Sequence, residues 1–173
     1  MSQILKKLEG GDLRSIGRSE EVVQDILENP ALFGEVFGGM LSEDPRVRMR
    51  SADALEKVSS SHPEYLQPFK SRVIYEVSQI EQQEVRWHVA QMFSYLEVST
   101  QERAEIVRIL LFYLDADRSR IVKVCSIQTL ADLAERDESI RPTIVRRLQE
   151  VIASGSPAMA NRAQKLLPRL AMS

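Results

Sequence analysis

The chain is predicted to be all-α, folded as a solenoid of antiparallel helix pairs. Three observations predict this. Gly and Pro together make up 14 of 173 residues, about 8% against roughly 12% in average chains, which leaves little material for turns. Apolar residues recur at the 4, 4 and 3 spacing of one helix face, and no segment alternates apolar and polar residues as a strand would. This helical pattern returns after 38, 37 and 37 residues, the mark of a repeated helix pair.

The repeat is read from columns. Val47, Val85, Val122 and Met159 form one; Leu55, Phe93, Leu130 and Leu167 a second; Val58, Leu96, Leu133 and Leu170 a third. A column of mostly small residues, Ser51, Val89, Ser126 and Ala163, lies between the first two. The same shifts align the segments that follow, matching Phe69, Val107 and Ile144, then Val73, Leu111 and Leu148. Each unit is therefore a helix, a short turn and a second helix.

In chain order, a leading helix is expected near residues 2–8. The glycine-containing loop Gly10–Arg18 then turns the chain into a short first unit at 19–41, with helices near 19–28 and 31–41. Three full units follow at 44–80, 82–115 and 119–153, and a capping helix closes the array at 157–170. Asn29-Pro30, Asp44-Pro45 and Ser156-Pro157 each place a capping side chain before a proline at the first helical position. Ser61-His62-Pro63-Glu64 and Ser99-Thr100-Gln101-Glu102 fit the capping box. Gly34, Gly38 and Gly39 would permit a close helix contact within the first unit. With no long linker, residues 1–173 read as one domain.

Composition excludes several classes of protein. Leu, Ile, Val and Phe account for 29% of the chain, too much for a disordered one. A net charge of −2 argues against a surface built for nucleic acid or anionic membrane. The longest apolar run, Ile106–Leu114, is broken by Arg108 and falls short of the roughly 20 residues of a membrane span. The first residues carry no export-signal pattern, so a cytoplasmic location is expected. Cys125 is the single cysteine, and His62 and His88 stand 26 residues apart. No metal-ligand or nucleophile motif is present, so no metal, cofactor or catalytic residue is assigned. Residues 1–43 sum to −4 and residues 139–173 to +5. A monomer or a weak head-to-tail association is the expectation.

The stretch Asp44-Pro45-Arg46-Val47-Arg48-Met49-Arg50-Ser51-Ala52-Asp53-Ala54-Leu55 resembles the first helix of a HEAT repeat, and Glu84-Val85-Arg86 and Ile121-Val122-Lys123 repeat its Val-Arg element. The resemblance covers residues 19–170 and extends to small bacterial HEAT-repeat proteins. The family's Asp six residues before the Arg has a counterpart only in Asp117, before Lys123; Ser42 and Ile80 stand at the matching places. The resemblance implies a right-handed superhelical, armadillo-like solenoid whose second helices line a concave binding surface. It also implies that the column Arg48, Arg86, Lys123 is a ladder pairing with acidic or carbonyl groups of the neighbouring unit.

A protein-interaction or scaffold module follows as the expected function, with another protein as partner. Lys70, Arg72, Arg108 and Arg147, all on second helices, are the candidate partner-binding residues. Trp87 and His88 are secondary candidates. Trp87 shares a column with Met49, Val124 and Asn161 and is expected to pack between first helices. His88 lies one turn after Glu84, a spacing that suits a surface ion pair and would raise the imidazole pKa. The alternative function is action on nucleic acid, as in HEAT-like alkylpurine DNA glycosylases. That reading would draw on Trp87, Arg108, Arg147 and Asp117.

Overall fold

A computed structural model describes residues 2–12 and 14–171, and no strand occurs among them. The chain divides into two compact units, Met1–Glu97 and Val98–Ser173. No helix among the described residues is long and apolar enough to cross a membrane.

In the first unit the order is α1 (Gln3–Lys6), α2 (Ser19–Glu28), α3 (Phe33–Gly39), α4 (Pro45–Ser61), α5 (Pro63–Leu66), α6 (Lys70–Tyr75) and α7 (Gln83–Met92). Helix α4 is the hub and packs against α2, α3 and α7. Val47, Ser51, Leu55 and Val58, the stripe read from the sequence, are all fully buried along it. Asp44 starts α4 by accepting the Arg46 amide at 2.8 Å, and Pro45 sits at the first helical position, where no amide is needed.

Several local expectations need correction. The leading helix is a single turn, and the helix expected at 31–41 begins as a 3-10 turn, Pro30–Leu32. The second helix of the 44–80 unit is broken: a 3-10 turn, Gln67–Phe69, separates α5 from α6. Pro68 is the cause, since it has no N–H and its ring opposes a continuous α-helix. Asn29 makes no side-chain cap, and Ser61 lies inside α4 with its hydroxyl donating back to the Val58 carbonyl. Ser156 Oγ is buried without a partner rather than capping.

The three glycines do not act together. A Cβ at Gly39 would collide with Ser51 Oγ and stand 2.8 Å from Leu5 Cδ2, whereas one at Gly38 would meet open space. Gly39→Ala should cost about 1–3 kcal/mol in urea denaturation, as overpacking does. Gly38→Ala should be neutral or slightly stabilising, because helix interiors favour alanine by about 0.5–1 kcal/mol.

The second unit contains α8 (Thr100–Ala116), α9 (Arg120–Arg136), α10 (Arg141–Ser154) and α11 (Pro157–Ala171). Helix α9 packs against α8, α10 and α11. The expected capping box at Ser99 is complete: the Ser99 hydroxyl accepts the Glu102 amide, and the Glu102 carboxylate accepts the Ser99 amide at 2.8 Å. Val122, Ser126, Leu130 and Leu133 are buried along α9, and Met159, Ala163 and Leu170 along α11. In α11 Leu166 takes the buried place expected of Leu167.

One register is displaced. In α8 Ile106, Ile109, Leu110, Tyr113 and Leu114 are buried, while Val107 and Leu111 are half-buried. By burial, Val73 corresponds to Leu110 and Val77 to Leu114, a shift of 37 rather than 38.

Candidate functional site

The most polar part of the interior lies where the loop before α2 meets α4 and α7. Arg50, on α4, is 1% exposed. Its Nη1 donates to the carbonyls of Leu8 (2.8 Å), Glu9 (3.2 Å) and Gly10 (2.7 Å), its Nη2 to Asp12 (3.0 Å) and its Nε to Ser15 (3.0 Å). Among the described residues every acceptor is a backbone carbonyl. Gly17 has φ +57° and its missing Cβ leaves room for the guanidinium, which would otherwise lie within 2.8 Å. The loop is thus wrapped around one buried cation.

One turn along α4, Asp53 accepts from the Ser19 hydroxyl at 2.6 Å and the Lys57 ammonium at 2.9 Å. Lys57 also pairs with Glu20. His88 of α7 faces this cluster. Its Nε2 is 3.9 Å from Asp53 Oδ1, too far for a hydrogen bond, and its buried Nδ1 has no partner. Trp87 meets the His88 ring edge-on at 5.6 Å and is half-buried. Arg50, Asp53, Trp87 and His88, together with Ile16, Met49 and Glu84, line a pocket of about 300 Å³.

The expected surface pair of His88 with Glu84 is therefore corrected. His88 is 9% exposed and looks across to α4, while the Glu84 carboxylate takes a hydrogen bond from Gln83. Burial pushes the imidazole down to about 4, against the opposing pull of Asp53 and with help from Lys57. The direction is opposite to the sequence expectation because desolvation outweighs a carboxylate that does not reach hydrogen-bond distance. Between pH 6.5 and about 4 the unfolded chain takes up a proton that the folded chain refuses. Stability should fall through that window as pH drops and level off below it. In His88→Gln this component should be missing, which urea midpoints at pH 7 and pH 4.5 would measure.

The Ser19 hydroxyl donates to Asp53 and not to His88, so no nucleophile–base pair is assembled. Among the described residues no group of three His, Cys, Asp or Glu side chains could hold a metal.

The primary candidates divide between the two units, and each has a partner within its own. Lys70 donates to the Glu97 carbonyl at 3.2 Å. Arg72 binds Glu76 at 2.8 Å and lies 5.0 Å over the Phe37 ring. Arg108 forms a fork with Glu105 at 2.9 and 2.5 Å. Arg147 joins Glu150 at 2.7 Å and also Asp115. Asp117 caps a turn by accepting the Ser119 amide at 2.8 Å. In the ladder column, Arg48 donates to Gln82 Oε1 at 2.9 Å and to the Ser42 carbonyl at 2.8 Å, and Arg86 donates to the Ile80 carbonyl at 3.0 Å.

The sequence reading missed Arg50 and Asp53. Arg50 stands three residues after Val47 and one before Ser51, at the edge of the apolar stripe. A charge at that register was the available signal. No protein-family model, curated protein or solved structure matches this chain. Fold and site define an all-helical protein whose buried charges hold helices and a loop together.

Proposed function

We propose that this chain is a HEAT-like module, a right-handed solenoid of antiparallel helix pairs, that docks another protein through its second helices. The columns of the repeat support the architecture: Val47, Val85, Val122 and Met159 are all buried, as are Val58, Leu96, Leu133 and Leu170. The observation that carries the function is the contrast between charge and apolar surface on the second helices. Their candidate cations already have internal partners, while Tyr75 and Phe112 are 54% and 53% exposed. Tyr75 follows Arg72 by three residues and Phe112 follows Arg108 by four, so each ring adjoins a neutralised arginine on its own helix. Aromatic and arginine side chains of this kind suit a protein interface. Neutralised cations release few counterions from a polyanion, which weighs against the nucleic-acid alternative.

The test compares wild type, Tyr75→Ser/Phe112→Ser and Lys70→Glu/Arg108→Glu. The substituted side chains are at least partly exposed, so melting temperatures should change little. A stoichiometric protein partner recovered by affinity purification should be lost from the aromatic double variant and weakened in the charge variant. Duplex DNA should bind only weakly and with strong salt sensitivity. Nanomolar DNA affinity at physiological salt, lost in Lys70→Glu/Arg108→Glu, would overturn this reading in favour of nucleic acid.

A further inference from the structure

A second cavity in the first unit, of about 670 Å³, opens beside the broken helix. Its apolar walls are Pro63, Pro68 and the ring of Tyr95, and two carboxylates, Glu64 and Glu97, stand at it. Among the described residues no lysine or arginine lines it, and Lys70 is held at the Glu97 carbonyl. From this we infer that the cleft is the seat of a basic side chain, arginine or lysine, presented by an extended segment of a protein partner. The inference rests on the interaction-module reading but concerns residues other than Tyr75 and Phe112.

The cleft is rigid before anything binds. The Gln67 side-chain amide clasps the backbone of Glu97, donating to its carbonyl at 2.7 Å and accepting its amide at 3.0 Å. Lys70 adds a second donor to that carbonyl at 3.2 Å. The Tyr95 hydroxyl donates to Glu56 at 2.6 Å, which fixes the ring in the wall. Two prolines contribute surface that has almost no side-chain freedom to lose. Such preorganisation lowers the ordering cost of binding.

The walls and the charges select the occupant. Arg and Lys lay an aliphatic stem on apolar surface and keep the charged head in water. Here the stem would run along Pro63, Pro68 and Tyr95, with the head at Glu64 and Glu97. Glu64 is held below the usual carboxylate range by a backbone hydrogen bond and by His62, whose Nδ1 is 3.1 Å away, so it is ionised at neutral pH. An acidic ligand would meet two like charges, whereas a cation would complement both, Glu64 keeping His62 beside it.

The test is a nuclear magnetic resonance titration of the full isotope-labelled chain with N-acetyl-arginine-N-methylamide, its lysine counterpart, and norleucine and glutamate controls. Saturable shifts are expected at the Gln67 side-chain amide and the Tyr95 and Glu97 backbone amides, with a Kd of about 1 mM, as fits one side chain. Affinity should drop roughly tenfold in Glu64→Gln/Glu97→Gln, since charge-assisted hydrogen bonds are lost. The two glutamines preserve shape, and an otherwise unchanged spectrum would verify the fold. Equal binding of norleucine, preference for glutamate, unaltered affinity in the glutamine variant, or no saturable shift with either cation would each overturn the inference. Those failures would leave the dependence of partner capture on Tyr75 and Phe112 standing, so the two readings fall separately.

Discussion

Arg50→Ala is expected to destabilise the protein by about 3–5 kcal/mol, the range found when a buried charge loses or leaves its partners. The reason is specific to the arrangement. Five carbonyls, from Leu8, Glu9, Gly10, Asp12 and Ser15, converge on one guanidinium. Without it each is an acceptor with no donor, and one buried unsatisfied group costs about 1–3 kcal/mol. Relaxation of the loop and entry of water keep the total below the sum. Arg50→Lys should recover little, because a compact ammonium with three donors cannot span the same fork. The loss should be local as well as global. Amide hydrogen exchange should accelerate across residues 8–12 and 14–17 before it does along α4, since this segment carries the carbonyls that Arg50 holds. A loss below about 1 kcal/mol would mean that the carbonyls find water as readily as they found Arg50.

Leu110→Ala should cost about 2–5 kcal/mol and Leu111→Ala clearly less. Leu110 is fully buried in α8, and Leu111 is half-buried. A truncation at the first site leaves a cavity, whereas the second is already partly hydrated. Urea denaturation of the two variants would rank them, and the reverse order would restore the register read from the repeat.

The two cases show different limits of the sequence. Helix positions were legible because their causes are local. The Val47, Ser51, Leu55, Val58 spacing needs only the helical period, and the caps at Asp44 and Ser99 need only the three residues that follow. The break at Pro68 was equally local and could have been read from the missing N–H. The displaced register of α8 was harder, because Val107 and Leu111 are as apolar as Ile106 and Leu110. With apolar residues on adjacent positions, packing alone selects which pair turns inward.

The candidate site was legible only in its members. Trp87 and His88 were singled out, but His88 was given the wrong neighbour. Glu84 is four residues away in sequence, and Asp53, which His88 faces, is 35 away. The sequence by itself determined the all-helical class, the starts of α4, α8 and α11 and most residues of the first-helix core, since periodicity, caps and apolar spacing act within a few residues. Tertiary structure alone decided that Arg50 is enclosed by a loop 35–42 residues away and that His88 is driven toward its neutral form. It also decided that the second-helix cations already have partners. Burial and charge pairing depend on which distant segments arrive at the same place, and no local pattern records that.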